Sequence, residues 1–218
     1  KKLIVIGNGD QSRVFQNIIL KQRKFKLTHI LSINNHKRTK DKFLPKIKII
    51  NHLKKLKKIS NYYFLCSITN NYERKKFIDN FEKKYKKIRW AKIICSSANV
   101  SKFSKIEDGT IIGENVYIGP ETIIGKHCFI NNHSKIEHHN IFDNYSSTGP
   151  NVITGGNVNV SKFCYLGINS TVIHNVKIEK NTVIGAKSLV LKNCKSNSTY
   201  FGIPAKFKSK RKINKKYL

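Results

Sequence analysis

Large apolar residues recur at every sixth position through the C-terminal half of the chain. Counting from position 94 to position 190 in steps of six gives 17 positions, of which 14 are Ile, Val or Leu. The exceptions are Phe142, Thr148 and Thr154, and the residue four positions further on is small or β-branched except at Asn140. A period of six fits neither a helix nor an amphipathic strand. It predicts a solenoid whose flat faces each take one hexapeptide, so that residues 18 apart are stacked.

The N-terminal part has a different pattern. The apolar run Leu3 to Ile6 is followed by a glycine turn and by an amphipathic run from Val14 to Leu20, which predicts strand, turn and helix. Further strands are predicted at 27–33, 47–50, 62–66 and 92–94, and helices at 52–58 and 71–84. These elements indicate a small, Rossmann-like parallel α/β sheet.

The composition changes near residue 90 from lysine-rich to rich in Gly, Asn, Ile and Val. This change predicts an α/β domain over 1–90, the solenoid over 91–205 and a basic, solvated tail over 206–218. No run of 18 apolar residues occurs, and the N-terminal apolar run is too short for a signal peptide, so we expect a soluble, cytoplasmic protein. The five cysteines form no CxxC pair, so we expect reduced, structural thiols.

The chain carries 43 Lys and Arg against 12 Asp and Glu, a formal net charge of +31. Such a charge can bind nucleic acid by releasing counterions from phosphates. The lysines are spread over both domains, which favours a general compositional bias, and we do not expect nucleic-acid binding. A basic surface would still attract anionic small molecules such as coenzyme A and nucleotide sugars.

The Gly7–Gly9 turn can cradle a phosphate, or the glycines can simply permit a tight turn. An NAD site wants an acidic residue about 20 positions after the glycines, and no acid occurs between positions 10 and 41. Asn34 and Asn35, at the end of the second predicted strand, can offer amide groups to a base or ribose. We therefore expect a mononucleotide or a nucleotide sugar rather than NAD.

His138 lies two positions after a large apolar position, so its side chain is predicted to point outward from a rigid coil. Stacking by 18 places Gly156 and His174 in the same column, with Gly156 leaving a notch beside the imidazole. A neutral imidazole there can accept a proton from an attacking amine or hydroxyl. The alternative is an exposed histidine that only solvates the coil. His133 and His138 lie on different faces without a third ligand, so zinc is not expected.

Several motifs together carry a resemblance to a known family. They are Gly7-Asn8-Gly9, Ser67-Ile68-Thr69-Asn70-Asn71 with Arg74-Lys75-Lys76, Ile136-Glu137-His138-His139, Leu166-Gly167-Ile168-Asn169-Ser170 and Phe201-Gly202-Ile203-Pro204-Ala205-Lys206. Over almost its whole length the chain resembles the sialic-acid O-acetyltransferase-like group (NeuD/PglD type), especially the nucleotide-linked 4-amino-sugar N-acetyltransferases. The resemblance implies a nucleotide-sugar domain followed by a left-handed parallel β-helix, a homotrimer with sites between neighbouring coils, and acetyl-CoA as acyl donor. From the histidine positions and the lack of long apolar runs, we expect no metal and no membrane insertion.

The resemblance also implies roles for individual residues. His138 resembles the general base, with His139 beside it and Asn131 as a supporting amide across a subunit boundary. The cofactor groove is implied at Ser147, Gly156, Ile168, Gly185 and Ala186, and the nucleotide sugar at Gly7, Gly9, Asn34, Asn35 and Thr69.

Three positions depart from the family pattern. His139 replaces a Glu that could orient the imidazole, Ser147 replaces a second His near the thioester, and Asn34-Asn35 replaces Asp-Asp at the nucleotide, which leaves UDP or dTDP open. The implied mechanism is direct attack of the sugar amine on the thioester, with His138 accepting the proton and backbone N–H groups stabilising the oxyanion. O-acetylation of sialic acid or another sugar, and a non-catalytic basic solenoid, remain the alternatives.

Overall fold

The computed structural model describes residues 1–33, 43–56 and 58–216, so Asn34 and Asn35 lie outside the described residues. The elements of the N-terminal domain are strands β1 (Lys2–Ile6), β2 (Lys26–Leu31), β3 (Lys48–Ile50) and β4 (Tyr62–Cys66) and helices α1 (Asp10–Leu20) and α2 (Asn71–Lys84). The strands form a parallel sheet in the order β3-β2-β1-β4. The last four residues of β1 are fully buried, as expected for a central strand of a parallel sheet.

The predicted N-terminal elements differ from the structure at three places. Helix α1 begins at Asp10, directly after the glycine turn, rather than at position 14. Among the described residues of the predicted helix over 52–58, a short 3-10 turn forms at Leu53–Lys55, where Leu53 is the one buried apolar side chain described, and a second 3-10 turn follows at Ile59–Asn61. The predicted strand at 92–94 pairs with the solenoid instead of the N-terminal sheet.

The solenoid consists of two-residue strands separated by four-residue turns. These strands are β5 (Ile93–Ile94), β6 (Asn99–Val100), β7 (Lys105–Ile106), β8 (Ile111–Ile112), β9 (Tyr117–Ile118), β10 (Ile123–Ile124), β11 (Phe129–Ile130), β12 (Lys135–Ile136), β13 (Ile141–Phe142), β14 (Ser147–Thr148), β15 (Ile153–Thr154), β16 (Asn159–Val160), β17 (Tyr165–Leu166), β18 (Thr171–Val172), β19 (Lys177–Ile178), β20 (Val183–Ile184) and β21 (Leu189–Val190). Each strand from β5 to β18 pairs in parallel with the strand one coil later, as Ile136 does with Thr154. Together they form a left-handed parallel β-helix with three faces.

The residues at the sixth positions fill the interior of the β-helix. Ile118, Ile136 and Phe142 in this core are fully buried. Three positions after each core residue the backbone is left-handed, with φ between 53° and 65° at every repeat from Asn115 to Lys187. Asn is common there because it tolerates this conformation better than most residues. The repeat therefore fixes the direction in which each turn presents its side chains.

The end of the β-helix is closed by a hairpin. Strand β22 (Ser198–Gly202) pairs in parallel with β20, and strand β23 (Ala205–Lys210) pairs antiparallel with β22. The expectation of a solvated tail from residue 206 is therefore wrong for the backbone up to Lys210, because the free edge of β22 offers hydrogen bonds that the returning chain takes up. Most side chains of β23 remain exposed.

The N-terminal domain covers the outer surface of the sheet that contains β8, β11, β14 and β17. The ring centroids of Phe15 on α1 and Phe129 on β11 are 4.7 Å apart in an edge-to-face contact. Val5 and Ile111 belong to the same buried cluster, so one apolar core joins the two domains. This packing holds the glycine turn beside the β-helix.

Candidate active site

The turns of the β-helix form three corners, which we number and define by the sheet whose strands precede them. The first corner comprises 131–134, 149–152, 167–170 and 185–188, after strands of the sheet that faces the N-terminal domain. The second corner comprises 119–122, 137–140, 155–158 and 173–176, after the β12 sheet. The third comprises 125–128, 143–146 and 161–164, after the β13 sheet. These corners carry the catalytic and cofactor candidates except Ser147, which lies on β14, whereas the nucleotide-sugar candidates belong to the N-terminal part of the chain.

The imidazole of His138 is exposed on the second corner and lies against Gly156 of the next coil. A Cβ atom placed on Gly156 would lie 2.3 Å from Cε1 and 2.6 Å from Nε2 of His138, so the ring occupies space that only glycine leaves free. The predicted stacking of these two residues is thus observed. The peptide N–H of Asn157 also donates to the carbonyl of His138 at 3.1 Å, which ties the two turns together.

His139 contacts His138 and a carboxylate of the preceding coil. The Nδ1 atoms of the two imidazoles are 3.0 Å apart, and Nε2 of His139 lies 3.1 Å from Oε2 of Glu121. Sequence reasoning missed Glu121, although the rule of stacking by 18 that paired His138 with Gly156 also pairs Glu121 with His139. A carboxylate is therefore present near His138 even though the residue after it is a histidine.

Asn140, which breaks the small-residue pattern, fastens the turn that carries His138. It is fully buried, and its Nδ2 donates to the carbonyl oxygens of Glu137 at 2.7 Å, His138 at 3.1 Å and Gly155 at 2.9 Å. Since Gly155 belongs to the next coil, one side chain fixes both the turn and its distance from the neighbouring coil. The irregular position in the repeat therefore supports the candidate base.

Asn131 lies on the first corner, beside the N-terminal domain. Its backbone N–H donates to Thr148 Oγ1 at 2.9 Å, which gives a role to the polar residue at core position 148. Its side-chain oxygen accepts a hydrogen bond from the N–H of Asn132 at 2.9 Å. Asn131 lines a narrow cleft of about 40 Å³ together with Gln11 and Thr69. The structure does not bring Asn131 next to His138 of the same chain, because they lie on different corners.

The glycine turn borders a cavity of about 200 Å³ at the carboxyl edge of the sheet, lined by residues 7–12, Ile33 and residues 67–69. Gly7 has φ of +101°, and a Cβ there would lie 2.6 Å from Ser67 Oγ, so this turn needs glycine. A Cβ on Gly9 would meet nothing within 4 Å, so the backbone at the start of α1 is open to a ligand. This cavity shares Gln11 and Thr69 with the Asn131 cleft.

The predicted cofactor residues are divided among several places. Ile168 and Ala186 are exposed and stacked on the first corner, whereas Gly156 is on the second corner under His138. Gly185 is buried beneath Phe201, since a Cβ there would lie 1.8 Å from that ring. In a single chain, Gly185 therefore does not face an open groove.

Ser147 belongs to the domain interface rather than to an open surface. Its hydroxyl donates to Asn71 Oδ1 at 2.7 Å and accepts from Arg74 at 3.0 Å, and the residue is only 3% exposed. Arg74 itself is fully buried, and its guanidinium also donates to the carbonyl oxygens of Ile68, Thr69 and His127. The hydroxyl that was expected near the thioester thus helps to hold the two domains together.

The cysteines are buried thiols, as predicted. Burial raises the pKa of the Cys66 thiol to about 11 and that of Cys164 to about 12, so neither forms a thiolate at neutral pH. Within residues 1–33, 43–56 and 58–216, no three His, Cys, Asp or Glu side chains come together as a metal site would require. In the same part of the chain, no helix has the length and apolar character needed to span a bilayer.

Two family models match this chain. The PglD N-terminal domain matches residues 2–81, and the bacterial transferase hexapeptide (six repeats) matches residues 94–139. The chain thus joins a region similar to the PglD N-terminal domain to hexapeptide repeats similar to those of bacterial transferases. The predicted resemblance is thereby confirmed for the N-terminal domain and for the hexapeptide repeats.

Solved structures with the same fold extend over nearly the whole chain. A variant of GDP-perosamine N-acetyltransferase from Caulobacter crescentus, in complex with CoA and GDP-perosamine, has a TM-score of 0.86 at 20% identity over 96% of this chain and 97% of that one. The acetyltransferase domain of PglB from Neisseria gonorrhoeae, with acetyl coenzyme A, has 0.84 at 16% identity over 94% and 98%. WeeI from Acinetobacter baumannii has 0.78 at 16% identity over 95% and 100%. These likenesses confirm the predicted fold.

Proposed function

We propose that this PglD-type chain transfers an acetyl group from acetyl-CoA to the 4-amino group of a nucleotide-linked 4-amino-4,6-dideoxy sugar, in the synthesis of surface glycans in the cytoplasm. The observation that carries the proposal is the exposed His138 imidazole, seated on Gly156 and fastened by Asn140. The similarity of the whole chain to structures that contain CoA, acetyl coenzyme A or GDP-perosamine supports this choice of substrates. The nucleotide is a uridine or deoxythymidine diphosphate in our proposal.

In the proposed mechanism the sugar amine attacks the thioester carbonyl, a C–N bond forms and the C–S bond breaks. Nε2 of His138 accepts the proton lost by the amine and passes it to the coenzyme A sulfur, so charge and protons balance. Direct transfer is favoured over an acyl-enzyme because the buried thiols, with pKa values of about 11 for Cys66 and 12 for Cys164, are poor nucleophiles. The acetyl group therefore passes between the two substrates held side by side.

The proposed site is completed by a second copy of the chain. His138 lies on the second corner, whereas Ile168, Ala186 and the Asn131 cleft lie on the first corner of the same chain. A homotrimer in which the second corner of one subunit faces the first corner of its neighbour would bring the base to the cofactor and to the nucleotide-sugar cavity. Each of the three sites would then draw residues from two subunits.

The cavity at the glycine turn is the proposed position of the diphosphate. The backbone at Gly9 is open, α1 begins at the next residue, and Gln11 and Thr69 connect this cavity with the Asn131 cleft. Backbone N–H groups and the dipole at the start of a helix favour phosphate oxygens. The sugar would extend from there along the cleft toward the interface with the neighbouring subunit.

The test is release of coenzyme A from acetyl-CoA with a panel of UDP-, dTDP- and GDP-linked 4-amino sugars and free sialic acid. We expect turnover with a nucleotide amino sugar, and a loss of at least about 100-fold in kcat/KM for His138→Ala. His174→Ala is the matched control, because it removes another exposed histidine from the same corner. Turnover only with sialic acid would establish O-acetylation instead, and a His138→Ala protein that is folded and fully active would refute the assigned base.

A further inference from the structure

Three side chains on the second corner form a chain of contacts that ends at the proposed base. Nδ1 of His138 lies 3.0 Å from Nδ1 of His139, and Nε2 of His139 lies 3.1 Å from a carboxylate oxygen of Glu121. The imidazole rings are nearly perpendicular, at 89°, with their centroids 5.1 Å apart. The carboxylate thus reaches the base through an intervening imidazole.

The hydrogen-bond chemistry of these contacts leaves one neutral arrangement. The Glu121 carboxylate can only accept, so Nε2 of His139 must carry the proton that it donates. Nδ1 of His139 is then unprotonated and accepts a hydrogen bond from Nδ1–H of His138. It follows that Nε2 of His138 holds a free lone pair, which is the state that a general base requires.

The backbone places Glu121 and His139 side by side on successive coils. Glu121 and His139 occupy the same left-handed position of successive coils, with φ of 57° and 56°, and the N–H of His139 donates to the carbonyl of Pro120 at 3.0 Å. The side chains of His139 and Glu121 are 48% and 66% exposed, so the contact between them by itself contributes little to stability. The value of the arrangement lies in orienting the imidazole of His138.

We propose that Glu121 and His139 are positioning residues that hold His138 in the tautomer with an unprotonated Nε2 during acetyl transfer. This inference rests on the proposed function. In it, Glu121 provides the carboxylate that is missing at position 139, where this chain has a histidine in place of the family's Glu. Glu121 is one full coil away from His138 in sequence, so it acts through His139 rather than by touching the substrate. When His138 gains the amine proton, the same two contacts stabilise the imidazolium.

The first arm of the test needs no substrate. In protein labelled with ¹⁵N in histidine, at a pH where the imidazoles are neutral, the His138 signals are assigned by their loss in His138→Ala. We expect the Nδ1–H tautomer in the wild type, its persistence in Glu121→Gln, whose amide oxygen still accepts, and a mixture of tautomers in Glu121→Leu. An Nε2–H tautomer in the wild type, or an unchanged spectrum in Glu121→Leu, would overturn the proposal whatever the enzyme acetylates.

The second arm is a double-mutant cycle in the acetyl-transfer assay. We expect Glu121→Leu to lower kcat about fivefold with little change in KM, as fits an interaction of about 1 kcal/mol with the reacting state. His139→Glu places a carboxylate directly beside His138, so Glu121→Leu should have no further effect in that background. Equal losses in both backgrounds would show that Glu121 does not act through His139. If no acceptor on the panel turns over, the proposed function fails while the tautomer measurement still decides the arrangement.

Discussion

The contact between Gly156 and His138 gives a sharp prediction for Gly156→Ala. The new methyl carbon would lie 2.3 Å from Cε1, 2.6 Å from Nε2 and 3.0 Å from Nδ1 of His138. Since ordinary contacts between such atoms are about 3.5–4.0 Å, the ring must retreat by more than about 1 Å. The methyl group would thus displace the proposed base while leaving its chemistry intact.

We expect a small effect of Gly156→Ala on folding and a large effect on activity. Because the His138 ring is exposed, it can rotate away from the coil, and we expect the free energy of unfolding to change by less than about 0.5 kcal/mol. A displacement of about 1 Å costs about 100-fold in rate, equivalent to about 2.7 kcal/mol in the activation barrier. Gly156→Ala should therefore resemble His138→Ala in kcat and the wild type in Tm.

The measurements are coenzyme A release and thermal unfolding of the same preparations. Gly155→Ala is the matched control, because its Cβ would lie 2.6 Å from the backbone nitrogen and 3.0 Å from Cα of His174. A backbone cannot rotate away, so this variant should lose several degrees of Tm. A Gly156→Ala enzyme with wild-type kcat would refute the placement of the base against this glycine.

Two further predictions concern stability. Burial lowers the pKa of His127 to about 3, and the nearby positive charges of Arg74 and Lys126 add to this shift. As the pH falls, this histidine is therefore protonated in the unfolded chain before it is protonated in the folded protein. The free energy of unfolding should fall by about 2 kcal/mol between pH 6.5 and pH 5. His127→Phe should remove this part of the slope of denaturant-derived stability against pH, and an unchanged slope would contradict it. Arg74→Met should lower the free energy of unfolding in urea by about 3–5 kcal/mol because it leaves buried carbonyl oxygens without their donor. By contrast, Lys75→Ala, which removes a partly exposed side chain and its surface ion pair with Asp79, should change stability by less than about 0.5 kcal/mol. Equal midpoints for these two variants would refute the role assigned to the Arg74 network.

The six-residue pattern was sufficient to predict the β-helix and the stacking of its coils. Each hexapeptide forms one two-residue strand and places one large side chain inside the β-helix. The six-residue period of the sequence is therefore also the period of the structure. For this reason the sequence also placed Gly156 beside His138 without any tertiary information. The same rule would have found Glu121 beside His139, had it been applied to both histidines of the pair.

The N-terminal domain was less completely predicted. Buried apolar runs identified β1 and β4, because a central parallel strand is apolar on both faces. The strand at Ile93–Ile94 was included among the N-terminal strands although position 94 also begins the six-residue repeat, since an apolar pair has the same appearance in either sheet; it pairs with β8 of the solenoid. The hairpin strand Ala205–Lys210 was read as a tail because its side chains are mostly exposed and only its backbone is paired.

The sequence by itself determined the solenoid, its register and the outward direction of His138, because these depend on residues six or 18 positions apart in a regular repeat. Only the tertiary structure decided that Ser147 is enclosed by Asn71 and Arg74, and that Gln11 and Thr69 line a cleft beside Asn131. Those facts depend on how the N-terminal domain packs on one face of the β-helix. Side chains that contact each other at such an interface have no fixed separation in sequence, so no periodic pattern predicts which of them will be in contact.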